Sequence, residues 1–163
     1  MKKLLVMLAI LLPMFVAAKK SPIVKIMKKY AEKEEFTNIN IAGNLFKLAY
    51  KFGAKDEETK KILSQVTGIS ILIKNDDADN GKFNFIKELE SEGFFKNNAY
   101  TSLLEVKEKN QTVRLLGKEE KSGTLSDLLL VIDGKENVLV NIRGKIDPEN
   151  MEKLLGFVNV SNP

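Results

Sequence analysis

The chain has 163 residues and no cysteine, histidine or tryptophan, which excludes disulfides, thiolate nucleophiles, Ser-His and Cys-His catalysis and the usual zinc sites. Its 26 basic and 22 acidic residues nearly balance, so bulk charge is too weak to select a nucleic acid or a strongly acidic partner. At this length a single core can bury well over half of the unfolded surface, and one domain is expected.

The first 18 residues combine Lys2 and Lys3, an apolar run from Leu4 to Val16, and the small residues Ala17 and Ala18. This pattern predicts a secretory signal peptide over residues 1–18, followed by a single α+β domain over 19–163. The apolar run is too short to span a bilayer comfortably, so no stable membrane anchor is expected after cleavage. A periplasmic or secreted location follows. Without the signal, 24 basic residues face 22 acidic ones, a formal charge of +2.

Pro22 opens an amphipathic helix with Ile23, Ile26, Met27 and Tyr30 on one stripe and lysines on the other. Phe36 to Ile41 alternates apolar and polar residues and predicts a strand. Leu45, Phe46, Leu48, Ala49 and Phe52 recur at helical spacing, and Asp56 is placed to cap a short helix carrying Ile62, Leu63 and Val66. Ile69 to Lys74 is the second strand. Because helices separate these two strands, a right-handed parallel crossover is expected between them.

The polar loop Asp76 to Gly81 begins like a calcium loop, but Ala78 stands at its third position and Lys87 where the bidentate glutamate belongs. No metal and no cofactor are therefore expected. No glycine pair has the spacing of a phosphate-binding loop. Lys82 to Glu92 predicts a helix buried through Ile86 and Leu89, and Asp147-Pro148 starts a last helix with Met151, Leu154 and Leu155, ending near Gly156.

Between them, Asn98 to Arg143 reads as a four-stranded antiparallel meander, extended by the two earlier strands. A two-residue turn at Lys109-Asn110 sets Val106 opposite Val113, Leu104 opposite Leu115 and Glu105 opposite Arg114. A two-residue turn at Ser122-Gly123 sets Gly117 opposite Leu128 and Lys118 opposite Asp127. A three-residue loop, Gly134 to Glu136, aligns Ile132 with Val138 and Asp127 with Arg143. One face then carries Leu104, Val106, Val113, Leu115, Leu128, Leu130, Ile132, Val138, Val140 and Ile142, and the helices are expected to pack mainly there.

The opposite face is mixed. Glu105, Arg114, Lys118, Asp127 and Arg143 lie on it, as a cross-strand charge ladder or as a cradle for an acidic or zwitterionic ligand. The same register brings Leu103, Leu116 and Leu129 side by side, with Val131 and Leu139 adjacent. If the helices cover only one face, these residues form a partly exposed partner-binding patch ringed by Arg114, Lys118, Asp127 and Arg143. No catalytic residue is assigned.

The order Lys29-Tyr30-Ala31, Asn38 to Ile41, Leu103 to Lys107, Leu125 to Ile132 and Val138 to Gly144 before a last helix resembles a family of small exported proteins of Gram-negative bacteria. That family, common in Bacteroidetes, is catalogued as a domain of unknown function, DUF4252. The resemblance supplies no catalytic residues, and it implies a loose link to extracytoplasmic sigma-factor systems. Three functional classes follow: an exported non-catalytic binding or protein-interaction module, which is favoured, an envelope-stress or sigma-factor-linked regulatory accessory, and a small carboxylate-dependent enzyme. An envelope protein or a second copy of the chain is the expected partner.

Overall fold

The computed structural model describes residues 22–52, 56–75, 83–97 and 100–151. The expected signal peptide, the Asp76 to Gly81 loop and most of the last helix lie outside them. Four helices, α1 (Pro22–Ala31), α2 (Gly43–Phe52), α3 (Glu57–Gln65) and α4 (Phe85–Ser91), accompany six strands. These are β1 (Phe36–Ala42), β2 (Val66–Lys74), β3 (Thr101–Glu108), β4 (Gln111–Glu119), β5 (Leu125–Gly134) and β6 (Asn137–Ile146), ordered β1-β2-β6-β5-β4-β3 in one antiparallel sheet.

The meander has the expected register: Val106 pairs with Val113, Glu105 with Arg114, Lys118 with Asp127, Asp127 with Arg143 and Ile132 with Val138. The turn between β4 and β5 reaches that register by another route. Gly123 N donates to Glu120 O and Glu120 N to Thr124 O, so the loop has three residues, and Gly123 takes the left-handed conformation at φ +78°. Glu119 pairs with Leu125 and Lys118 with Asp127, so Ser126 is an extra residue that bulges and restores the alternation.

β1 and β2 are antiparallel, not parallel, with Ala42 opposite Gly68 and Phe36 opposite Lys74. Two helices intervene rather than one, and α2 and α3 pack on each other. The pair carries the chain out and back, so it re-enters the sheet at the end it left. Asp56 caps α3 as expected, its Oδ1 accepting from Thr59 N at 2.7 Å.

Helices pack on both faces of the sheet, which corrects the expectation of a one-sided cover. On the first face α1 and α4 bury Ile23, Ile26, Tyr30, Phe85 and Leu89 against Leu72, Leu116, Leu129, Val131 and Leu139. Its aromatic side chains interlock, with Phe83 set edge-on to Phe36 at 5.2 Å and to Phe85 at 4.8 Å between ring centroids. On the second face α3, through Ile62, and α2, through Phe46, meet Ile69, Leu115, Leu128, Ile132, Val138, Val140 and Ile142.

Asp133 ties the first face together. Its carboxylate, reaching up from β5, accepts from Phe85 N at 2.6 Å and Ile86 N at 3.1 Å, the orphan donors that open α4. Asn84 Oδ1 takes Lys87 N at 2.8 Å. Burial pushes the Asp133 carboxyl above the ordinary aspartate range, against those two backbone bonds.

Candidate functional site

The expected ring of charges around one apolar strip does not form. Register places Lys118, Asp127 and Arg143 in one row across β4, β5 and β6, and Glu105 with Arg114 in another. Between them, Leu116 and Leu129 are 4% and 0% exposed, and Val131 and Leu139 are likewise sealed beneath helices. The strip is core. Leu103 leaves it altogether: Ser102 pairs with Leu116 and Leu104 with Leu115, so Leu103 is a bulged residue. Its side chain lies over Gly117, against Leu125, on the opposite face.

Glu105 accepts from Lys107 Nζ at 2.7 Å and lies 3.3 Å from Arg114 Nη2. Lys107 first, then the Arg114 charge, hold its carboxyl below the ordinary glutamate range. These contacts are exposed and of modest worth. The other row reaches a polar groove. Asn40, Ser70 and Asn141 continue the Leu116–Leu129 row across β1, β2 and β6, replacing apolar residues with amides and a hydroxyl. Together with Asn38 and Arg143 they floor a cavity of about 240 Å³ whose wall is Val24, Met27, Lys28 and Ala31 of α1. Asn141 Nδ2 donates to Asp127 Oδ1 and to Leu128 O, both at 3.3 Å. The Arg143 guanidinium lies over Gly68, where the missing Cβ leaves it room.

Burial pushes the Asp127 carboxyl above the ordinary range, opposed by the Asn141 hydrogen bond and the charges of Lys118 and Arg143. Among the described residues Asp127 and Asp133 are the carboxylates shifted upward, six residues apart on β5. At strand rise that is about 20 Å, far beyond the separation at which two carboxylates flank one bond. A shared acid/base pair is therefore not built from them. Among the described residues no group of His, Cys, Asp and Glu is placed to hold a metal.

A larger apolar cavity of about 640 Å³ lies between α2 and α3, lined by Phe46, Tyr50, Leu63 and Val66 with Lys47 and Lys51 at its rim. The most exposed strand is β3, at the sheet edge, where every residue from Thr101 to Glu108 faces solvent. Leu103, Leu104 and Val106 are 37%, 49% and 40% exposed, all on the second face, beyond the reach of α2 and α3.

Residues 30–154 match DUF4252, a domain of unknown function. The chain belongs to this family. No curated protein and no solved structure matches it. The matched span runs from Tyr30 in α1 through all six strands, so the β3 edge and the strand floor of the polar groove lie within the DUF4252 region, while Val24 and Met27 of the groove wall precede it. No helix among its described residues is long and apolar enough to cross a membrane.

Sequence reasoning missed Asn38, Asn40, Ser70 and Asn141 as a group, because they sit on three strands whose pairing it had not placed. The signal was present in one place: Asn141 interrupts the apolar run Val138 to Ile142. Register also assigned Leu104 and Val106 to the main core, although they belong to an edge strand and are 49% and 40% exposed among the described residues.

Proposed function

We propose that this DUF4252 chain is an exported, non-catalytic protein-interaction module that takes its partner along β3. One observation carries the reading: an eight-residue edge strand lies wholly exposed, with Leu103, Leu104 and Val106 on one side. An edge strand presents unpaired backbone N–H and C=O groups, and soluble proteins blunt such edges with proline, charge, a β-bulge or a covering element; in β3 the bulge at Leu103 touches only the start of the strand and leaves Leu104 to Glu108 regular. Here β3 has no proline; Glu105 and Lys107 occupy the opposite side from Leu104 and Val106, and Glu108 shares their side only at the turn end of the strand. An extended segment added there gains main-chain hydrogen bonds and covers the apolar residues, as in strand-addition recognition. The apolar-to-polar order of the first face supports the same reading, because its leucines are committed to core and leave β3 as the large apolar surface of the meander.

The test is an affinity capture from envelope extract with the wild-type chain and with the double variant L104K/V106K. The two lysines fall on an exposed edge, so the variant is expected to melt within a few degrees of wild type and to lose the captured partner. A folded variant that retains every wild-type partner and the wild-type oligomeric state overturns the reading.

A further inference from the structure

We infer that the partner of β3 is a second copy of the chain, paired antiparallel through β3 with Val106 opposite the partner's Val106. This rests on the reading of β3 as the interaction edge and adds the identity of what binds there. The bulge at Leu103 interrupts regular pairing geometry, and the turn after Glu108 ends it, so the regular stretch is Leu104 to Glu108. Its midpoint is Val106. A two-fold axis through Val106 uses the whole stretch, as an isologous interface requires.

The side chains agree with that axis. Glu105 falls opposite the partner's Lys107, and Lys107 opposite the partner's Glu105, two reciprocal opposite-charge pairs. Glu105 already has Arg114 on its inner side at 3.3 Å, so each ladder would alternate Arg114, Glu105, Lys107 across the junction. On the second face Ile73, Val138, Ile132, Val113 and Val106 form one apolar row across the sheet. The partner's Val106 continues it. Leu104 meets the aliphatic stem of the partner's Glu108, at the rim. Moving the axis by one residue to Glu105 or Lys107 sets like charges directly opposite each other, and moving it to Leu104 drives the pairing through the bulge.

The chain has no native cysteine, so single-cysteine variants report register without background. Directly opposed residues have Cα atoms about 4.5 to 5.5 Å apart, within disulfide range. Under mild oxidation Val106→Cys is expected to give a covalent dimer. Lys107→Cys and Leu104→Cys are not, because each is offset from its own copy by two or four residues, beyond about 7 Å. A mixture of Glu105→Cys and Lys107→Cys chains is expected to cross-link. Lys107→Glu, without any cysteine, should weaken self-association by about tenfold, since two favourable pairs become two like-charge pairs. Efficient linking of Leu104→Cys in place of Val106→Cys overturns the register. A monomer by light scattering at high concentration, with no cross-link at position 106, overturns the self-pairing. In that case loss of another captured protein by L104K/V106K would leave the β3 reading standing with a different partner, and no loss would remove both.

Discussion

Both faces of the sheet carry a buried core, but they differ at the β3 side, where only the second leaves apolar residues in solvent. On the first face Leu116, Leu129, Val131 and Leu139 are sealed, whereas on the second face Leu104 and Val106 stand in solvent beside the buried Leu115 and Leu128. The difference lies in what each face is given to pack against. The first receives α1 and α4 with the interlocking rings of Tyr30, Phe36, Phe83 and Phe85, and a second aromatic group of Phe94, Phe95 and Tyr100. The second receives α2 and α3, whose main strand contacts are with β1, β2 and β6, at the other side of the sheet from β3. Apolar pattern on a strand thus states which side could be buried. The covering side chains decide which side is.

The largest expected effect tests that contrast directly. Leu116→Asp inserts a carboxylate into the sealed face and should cost several kcal/mol or prevent folding, because a buried unpaired charge has no compensating partner there. Leu104→Asp, opposite Leu115 on the neighbouring strand but at the exposed β3 edge of the second face, should change stability by no more than about 0.5 kcal/mol. Chemical denaturation of both variants is the measurement, and similar losses in the two would mean that the faces do not differ as described. Asp133→Ala comes next. It strips two backbone N–H groups at the start of α4 of their acceptor, with an expected cost of about 1 to 3 kcal/mol. Loss of amide-exchange protection should then concentrate in α4, and an unchanged melting temperature would remove Asp133 as the tie between α4 and the sheet.

Much of the fold was legible because hairpin geometry is local. The pairs Glu105–Arg114, Lys118–Asp127 and Ile132–Val138 follow from turn length and side-chain alternation, and all three are present. The Leu103 bulge was not legible, since one extra residue costs the alternation nothing until a partner strand fixes the count on both sides of it. The β1–β2 pairing failed for a different reason: the crossover rule concerns a single covering element, and α2 with α3 makes two. The candidate site suffered most. Which face receives Tyr30, Phe85 and Phe94 depends on the path of α1 and α4 over the sheet, a long-range arrangement that no local pattern encodes, so Leu116 and Leu129 looked exposed when they are core. The charges Lys118, Asp127 and Arg143 were placed correctly relative to one another by register alone, while the Asn40–Ser70–Asn141 floor required the order β1-β2-β6.

The smallest effect concerns the polar end of the sealed face, where burial raises the Asp127 carboxyl above its ordinary value. A carboxyl whose pKa is higher in the folded than in the unfolded chain binds protons more readily when folded. Stability from this group therefore falls as pH rises from the ordinary aspartate range, about 4, through the raised folded value, and stays lower above it. Asp133 is raised in the same direction and contributes to the same slope. Asp127→Asn keeps an oxygen to accept from Asn141 and removes the charge, so the variant should lose part of that decline: relative to wild type it should gain at pH 7 compared with pH 4. Melting curves across that interval measure it. If the variant and wild type run parallel from pH 4 to pH 7, Lys118 and Arg143 offset the burial of Asp127 fully, and the polar end of the first face is as well satisfied electrostatically as its leucines are sterically.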